Sequence, residues 1–429
     1  MMKKSIDEIN CLNFGKDQIE IPKTNKNFKF LTSSNNNLRK LSRAQLLEKI
    51  GFNNNSTNLC DLIESKRKIL FVVPDSTRYV GVEKITAIID EQIGLLNVDR
   101  KNISFIIGGG IHRLPSKKDV EFIFGKEIIN KYKIHFHDAN DSRNLSEIGI
   151  TKRGTVVKVN SDLTKADCVI QIGGIAFHYI AGFSGGRKGI LPGCGAESSI
   201  QQNHKLAFDK KTLTKSIGIA SGNLQGNPVH EDMVEAVGFL DPKFSINTIL
   251  NEKNEIVDIY AGNWYESHID GCEDYLVNNT VLADEKLDMV IVSAGGFPKD
   301  INLIQSHKAM EHASILLKEG GTMIVVAKCE QGLGRDDFLD WFPSGGAKAT
   351  AEKLLENYKV YGQTAWGIRW KTEKFRILLV SDLEDEVVKK MDMKPFKNLE
   401  DAIKYADKVK DAYVFPKALN LLPKIRMNE

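Results

Sequence analysis

The chain has 429 residues, 42% of them hydrophobic, enough to bury at least one large core and, by length, to fill roughly two or three domains. Its 59 basic and 56 acidic residues are well mixed and leave a net charge of +3, which excludes the electrostatic footprint of a nucleic-acid binder or of a protein drawn to an anionic membrane. There is no uninterrupted apolar run of about eighteen residues, the opening MMKKSIDEINCLNF has no apolar stretch of signal-peptide length, and the six cysteines (11, 60, 168, 194, 272, 329) form no C-x-x-C pair; a cytoplasmic protein with neither a disulfide framework nor a zinc site is expected.

In chain order, CLNFGKDQIEIP reads as a short hairpin tied to the first domain, and the Asn-rich patches SSNNN and NNNST as loop filler. One grammar then repeats: a β-branched apolar run, a polar or Gly-rich loop, a helical pattern. KILFVVPDSTRYV, ISFIIGGGIHRLPS and DCVIQIGGIAFH come first; LDMVIVSAGGFPKD, GTMIVVAKCEQGLG and FRILLVSDL follow a long, less regular stretch from SGNLQGNPV to YAGNW. Continuous apolar runs suit strands buried on both faces of a parallel sheet, and 80–95 and 303–318 read as helices. The fold class is therefore α/β: two α/β domains with mainly parallel sheets, a boundary near 270–285, and an active site in the inter-domain crevice, where loops beyond the strand ends converge.

The central stretch HYIAGFSGGRKGILPGC spans residues 178–194. A P-loop would need G-x-x-x-x-G-K-[ST], but Arg187 precedes Lys188 and Gly189 follows it, so the hydroxyl that holds Mg²⁺ is missing. Neither GGGIHR nor QGLGRDD completes the dinucleotide fingerprint. The Gly-rich turn remains an anion cradle with a lysine in an unusual place. His135 and His137 in KIHFHDAND share a strand face but find no third ligand at a recognisable spacing. Asp75, Ser76, Thr77 and Arg78 form either a helix N-cap with a surface arginine or a loop that offers Arg78 to an anion. His112 and His178 precede or follow glycine-rich loops and suit a pair of general acid/base groups, because histidine titrates near physiological pH. Cys194 reads as a small packing residue.

Taken together, DSTR, GGGIHR, HYIAGFSGGRKGILPG with NH at 203 and 204, and SAGGFPKDINLIQSHK resemble, in order and spacing, the lactate racemase family, over nearly the whole chain. The resemblance implies a catalytic and cofactor-binding N-terminal domain over 1–275, a C-terminal α/β domain over 276–410, and a tail, 411–429, that packs back on the first domain. It also implies a nickel-pincer nucleotide, a pyridinium mononucleotide with two thioacid groups, made by separate biosynthesis proteins. Lys188 would be its covalent attachment point and His204 the nickel ligand, with Asp75, Thr77, Ser184, Gly185, Gly186, Arg187 and Trp366 around it. Trp370 rivals Trp366, for which core packing is an equal alternative.

His112 and His178 would be the acid/base pair, Arg78 and Lys308 would hold the substrate carboxylate or keto oxygen, and Gln305 would hydrogen-bond beside them. Asp75 would support either the cofactor or a catalytic histidine. The implied reaction is racemisation or epimerisation of a 2-hydroxy acid by reversible hydride transfer, a route that avoids a carbanion beside a carboxylate. Ile304 stands where lactate-acting members carry tyrosine, so larger 2-hydroxy acids are candidates beside lactate. Two readings compete with it: a non-catalytic binder of a phosphorylated metabolite, and, more weakly, a hydrolase using a histidine-bound metal.

Overall fold

A computed structural model describes residues 10–32, 38–52, 59–64 and 68–426. The Asn-rich patches at 33–37 and 53–57 lie outside the described residues. The chain divides into two compact units, one of residues 35–208 and 215–278, the other of residues 1–34, 209–214 and 279–429. No helix among the described residues is long and apolar enough to cross a membrane.

The 35–278 unit is built on a six-stranded sheet in the order Ile256–Gly262, Phe244–Leu250, Cys168–Gly174, Ile69–Pro74, Ile103–Gly108, Lys133–Phe136. All neighbours are parallel except Phe244–Leu250 with Ile256–Gly262. Alternation along the strands gives the sheet two unlike faces. Phe71, Val73, Phe105, Ile107, Ile170, Ile172, Phe244 and Ile246 point into an apolar core. There they meet Ile85, Ile88 and Ile89 of helix Val82–Leu95 and Ile123, Phe124 and Ile128 of helix Lys117–Lys131. Each such fully buried side chain contributes roughly 1.5–3 kcal/mol. On the opposite face Gln171, level with Val72 and Ser245, and Asn247, level with Gly173, set a polar patch among apolar neighbours.

The chain lays Ile69–Pro74 first, adds two strands on one side, then crosses to the other with Cys168–Gly174. The order reverses between those first and last strands, and the crevice beyond their carboxyl ends is where such sheets bind ligands.

The stretch expected to be less regular is not. It holds helix Pro228–Gly238 and the antiparallel pair Phe244–Leu250 and Ile256–Gly262. FSINTIL escapes the sequence pattern because polar Ser245 and Asn247 alternate with apolar residues, although six of its seven residues are buried.

The other unit carries an all-parallel sheet in the order Lys394–Phe396, Arg376–Val380, Leu317–Val326, Leu287–Ser293, Asp411–Phe415, Asn27–Phe30. Four expectations are corrected here. The N-terminal hairpin, Cys11–Phe14 with Asp17–Glu20, belongs with this unit, because its alternate residues Leu12 and Phe14 are buried against Met289, Ile324 and Val326. The described part of the tail, expected on the first domain, joins the sheets of this unit: Asp411–Phe415 lies between Leu287–Ser293 and Asn27–Phe30, and Leu422–Ile425 pairs with Thr280–Ala283. The division falls between residues 278 and 279 rather than after 275. The helix expected over 303–318 ends at Ala313, and Leu317 already opens a strand.

Candidate active site

Three neighbouring strands of the first unit, Cys168–Gly174, Ile69–Pro74 and Ile103–Gly108, end in the loops that carry the candidate residues. Asp75 is 7% exposed. Its Oδ1 accepts from Thr77 N at 3.2 Å and Thr77 Oγ1 at 2.7 Å, and its Oδ2 lies 2.6 Å from His112 Nδ1. Burial pushes the carboxyl up, but the bonds from His112 and Thr77 and the Arg78 charge outweigh it and hold the group below its ordinary range. A side chain at Gly109 would put Cβ 3.2 Å from Asp75 Oδ2, so the glycine lets this loop close on the carboxylate. Arg78 is exposed and makes no ion pair among the described residues. Ser76 turns aside and donates to Asp119 Oδ1 at 2.7 Å.

The Gly-rich turn packs on the face of the sheet that carries Gln171 and Asn247. Ser184 Oγ donates to Gly174 O at 2.6 Å, and Gly186 N donates to Asn247 Oδ1 at 2.8 Å. Gly185 and Gly186 have φ of +79° and +48°, which disfavour any side chain, and a Cβ on Gly186 would come within 2.5 Å of His268 Cγ. Gly110 N donates to Gly193 O at 2.8 Å and ties the His112 loop to the far end of the turn.

Lys188 is 4% exposed on the 3₁₀ turn Gly186–Gly189, its Nζ 3.4 Å from His178 Nε2. His178 Nδ1 accepts from Ile180 N at 3.3 Å and Ala181 N at 3.1 Å. Arg187, expected around the cofactor, turns inward instead. It is 1% exposed, with Nη1 2.9 Å from His268 Nε2 and Nη2 donating to Ala181 O at 2.7 Å, so it braces the loop from beneath.

His204 sits on helix Glu197–Lys205, 6% exposed, and donates from Nδ1 to Ile200 O at 3.0 Å. Burial, with the charges of Lys188 and Arg78 added, pushes its pKa down to about 3. The ring is thus neutral at ordinary pH, with an Nε2 lone pair that has no partner among the described residues. That is the state and orientation in which histidine ligates a metal.

His135 and His137 have other partners: His135 Nδ1 lies 2.6 Å from Asp162, and His137 Nε2 lies 2.9 Å from Gly195 O. Among the described residues no group of three or more His, Cys, Asp or Glu could hold a metal ion. Cys194 is fully buried, which pushes its thiol far above the ordinary range, as befits a packing residue.

Sequence reasoning missed the supports. Asn203, beside His204, donates to Asp232 Oδ2 at 2.9 Å, and Asp232 also accepts from Thr151 and Thr155 Oγ1. Asn247 and His268 seat the Gly-rich turn, and Gln171 Oε1 faces it, 3.0 Å from where a Cβ on Gly189 would lie. For Gln171 and Asn247 the available signal was a polar residue inside an otherwise apolar strand, whereas Asn203, Asp232 and His268 sit on helices where that signal does not arise.

In the second unit, helix Leu303–Ala313 starts at Asn302, whose side chain accepts from Gln305 N at 3.0 Å. Lys308 Nζ donates to Gln305 Oε1 at 2.6 Å, so the two expected substrate ligands do lie on one face. Trp366 is 2% exposed on helix Val360–Lys374, and Trp370 lies beneath Lys374 Nζ at 4.3 Å.

Comparison with known proteins finds the lactate racemase N-terminal domain over residues 14–215 and the lactate racemase C-terminal domain over residues 282–417. A lactate racemase of Thermoanaerobacterium thermosaccharolyticum is 31% identical over 360 residues, 82% of each chain. One of Lactiplantibacillus plantarum is 30% identical over 376 residues, 86% of this chain and 87% of that one. The solved lactate racemase apoprotein from T. thermosaccharolyticum matches with a TM-score of 0.86 and 27% identity over 96% of this chain and 99% of that one. A Thermotoga maritima protein with a TM-score of 0.66 and 15% identity shares the fold.

Proposed function

The chain belongs to the lactate racemase family, and from that premise we propose that it is a cytoplasmic racemase of lactate or of a related 2-hydroxy carboxylate. The observation that carries the reading is the cluster at the reversal of strand order: a buried amine, Lys188, with His178 at 3.4 Å and the neutral ring of His204 nearby.

The residues fit a nickel-pincer nucleotide. Lys188 would hold it covalently, and His204 would give nickel one imidazole nitrogen, an arrangement that needs no three-residue protein cluster. When bound, the group supplies a hydride acceptor, so that Cα exchanges a hydride and no carbanion forms beside the carboxylate. The first unit is then the catalytic and cofactor-binding domain.

His112 takes the substrate hydroxyl proton at Nε2, and Asp75, hydrogen-bonded behind it, stabilises the imidazolium that results. His178, on the neighbouring loop, faces the oxygen of the opposite enantiomer. Arg78 binds the carboxylate, for which its uncommitted guanidinium is suited. By the family resemblance Gln305 and Lys308 would be further substrate ligands, Trp366 would pack on cofactor or substrate, and Ile304 in place of tyrosine extends the candidates to larger 2-hydroxy acids.

The test is the intact mass and nickel content of the protein made in a host that supplies the nucleotide, beside Lys188→Ala, followed by a racemisation assay over a panel of 2-hydroxy acids. A mass increase matching the cofactor with about one nickel per chain, both absent from Lys188→Ala, together with racemisation of a panel member, is expected. An unmodified, nickel-free chain in a host where another family member does load would overturn the reading.

A further inference from the structure

We infer that the two histidines are held in opposite tautomers, the ring proton on Nδ1 in His112 and on Nε2 in His178, by Asp75 on one side and the backbone amides of Ile180 and Ala181 on the other. A neutral imidazole has one N–H and one lone pair, so the partner of one nitrogen decides what the other presents. His112 Nδ1 faces Asp75 Oδ2 at 2.6 Å, and an ionised carboxylate only accepts. The ring proton therefore lies on Nδ1, and Nε2 presents its lone pair. Both Thr77 donors engage Oδ1, which leaves Oδ2 to His112.

His178 has the reverse surroundings. Its Nδ1 faces Ala181 N at 3.1 Å and Ile180 N at 3.3 Å, and backbone amides only donate. Nδ1 is then the lone pair, and Nε2 carries the proton. Lys188 Nζ, 3.4 Å from Nε2, competes for the same single lone pair if it is an ammonium. The amides win this competition. They belong to a tight turn closed by the pairing of His178 with Gly182 and cannot rotate away, whereas the lysine contact is at the limit of hydrogen-bond range and its four-carbon stem redirects its hydrogens at little cost.

The pair is therefore not interchangeable in the resting protein. His112 is preset to take a proton at Nε2, and His178 is preset to donate a hydrogen bond from Nε2 to an oxygen; it becomes a base only after that proton has moved. Asp75 and the amides of Ile180 and Ala181 are positioning groups for the two rings. The mechanistic consequence rests on the acid/base reading above, but the tautomers themselves do not depend on it.

The test is long-range ¹H–¹⁵N spectroscopy of the full chain, perdeuterated, labelled at histidine and without cofactor, with His112→Asn and His178→Asn assigning the signals by their loss. The expected result is a protonated Nε2 with an unprotonated Nδ1 for His178, and the reverse for His112. In Asp75→Asn, the Thr77 donors keep the amide oxygen, the amide nitrogen turns to His112, and the His112 signal moves to the Nε2–H pattern while His178 is unchanged. A His178 that is protonated at Nδ1 or averaged between tautomers, or a His112 with the same pattern as His178, overturns the inference, and the wild-type spectrum decides this even if a variant fails to fold. Failure of Lys188 to take up cofactor leaves these spectra unaltered, so the two readings fail separately.

Discussion

At the residue scale, Asp75 shows how one carboxylate sets the chemistry of its neighbour. Its Oδ2 bonds His112 and its Oδ1 is occupied by Thr77, so an isosteric amide would place a donor where His112 needs an acceptor. Asp75→Asn is expected to lower kcat in the cofactor-loaded enzyme by about 10²- to 10⁴-fold, with little change in KM and full cofactor mass. A variant with unaltered kcat would show that the dyad is not used. The candidate residues at 112, 178, 188 and 204 were legible in the sequence because their motifs are local. Arg187 was not: a cation beside a lysine in a Gly-rich turn looks like an anion clamp, and its real partner, His268, is 81 residues away.

At the element scale, the Gly-rich turn owes its seat to a strand that hydrophobic patterning overlooks. Asn247 lies on the polar face of Phe244–Leu250 and accepts from Gly186 N in the buried interior. Asn247→Ala would leave that amide without an acceptor, at a cost of about 1–3 kcal/mol. The expected result is a lower urea midpoint with an unchanged slope, together with reduced covalent loading at Lys188, the residue two positions on. Unaltered stability and loading would mean that the turn is held by Ser184 and Arg187 alone. The strands that were legible are those with continuous apolar runs, such as ILFVVP. FSINTIL hid because polar side chains with buried partners look, in a sequence, like side chains exposed to water.

At the scale of the whole molecule, stability should depend on pH through rings that the fold keeps neutral. Burial pushes the pKa of His204, His230 and His307 down to about 3 and lowers those of His137 and His268. With folded values below the ordinary 6.5, the unfolded chain binds more protons than the folded one between the two. Stability is therefore full above about 6.5 and is lost as pH falls toward 3. The urea midpoint at pH 5 should lie below that at pH 7.5, with a shallower fall in His230→Asn; a midpoint that held constant would mean these rings are charged in the fold. The sequence by itself determined the α/β class and the family and supplied the candidate site residues, because apolar runs and loop motifs are written in consecutive residues. Only the tertiary structure decided that the N-terminal hairpin and the Asp411–Phe415 strand belong to one sheet-bearing unit, that Arg187 faces inward, and which nitrogen of each histidine has which partner. Each of these depends on a hydrogen bond or a strand pairing whose partner is fixed by packing rather than by the neighbouring letters.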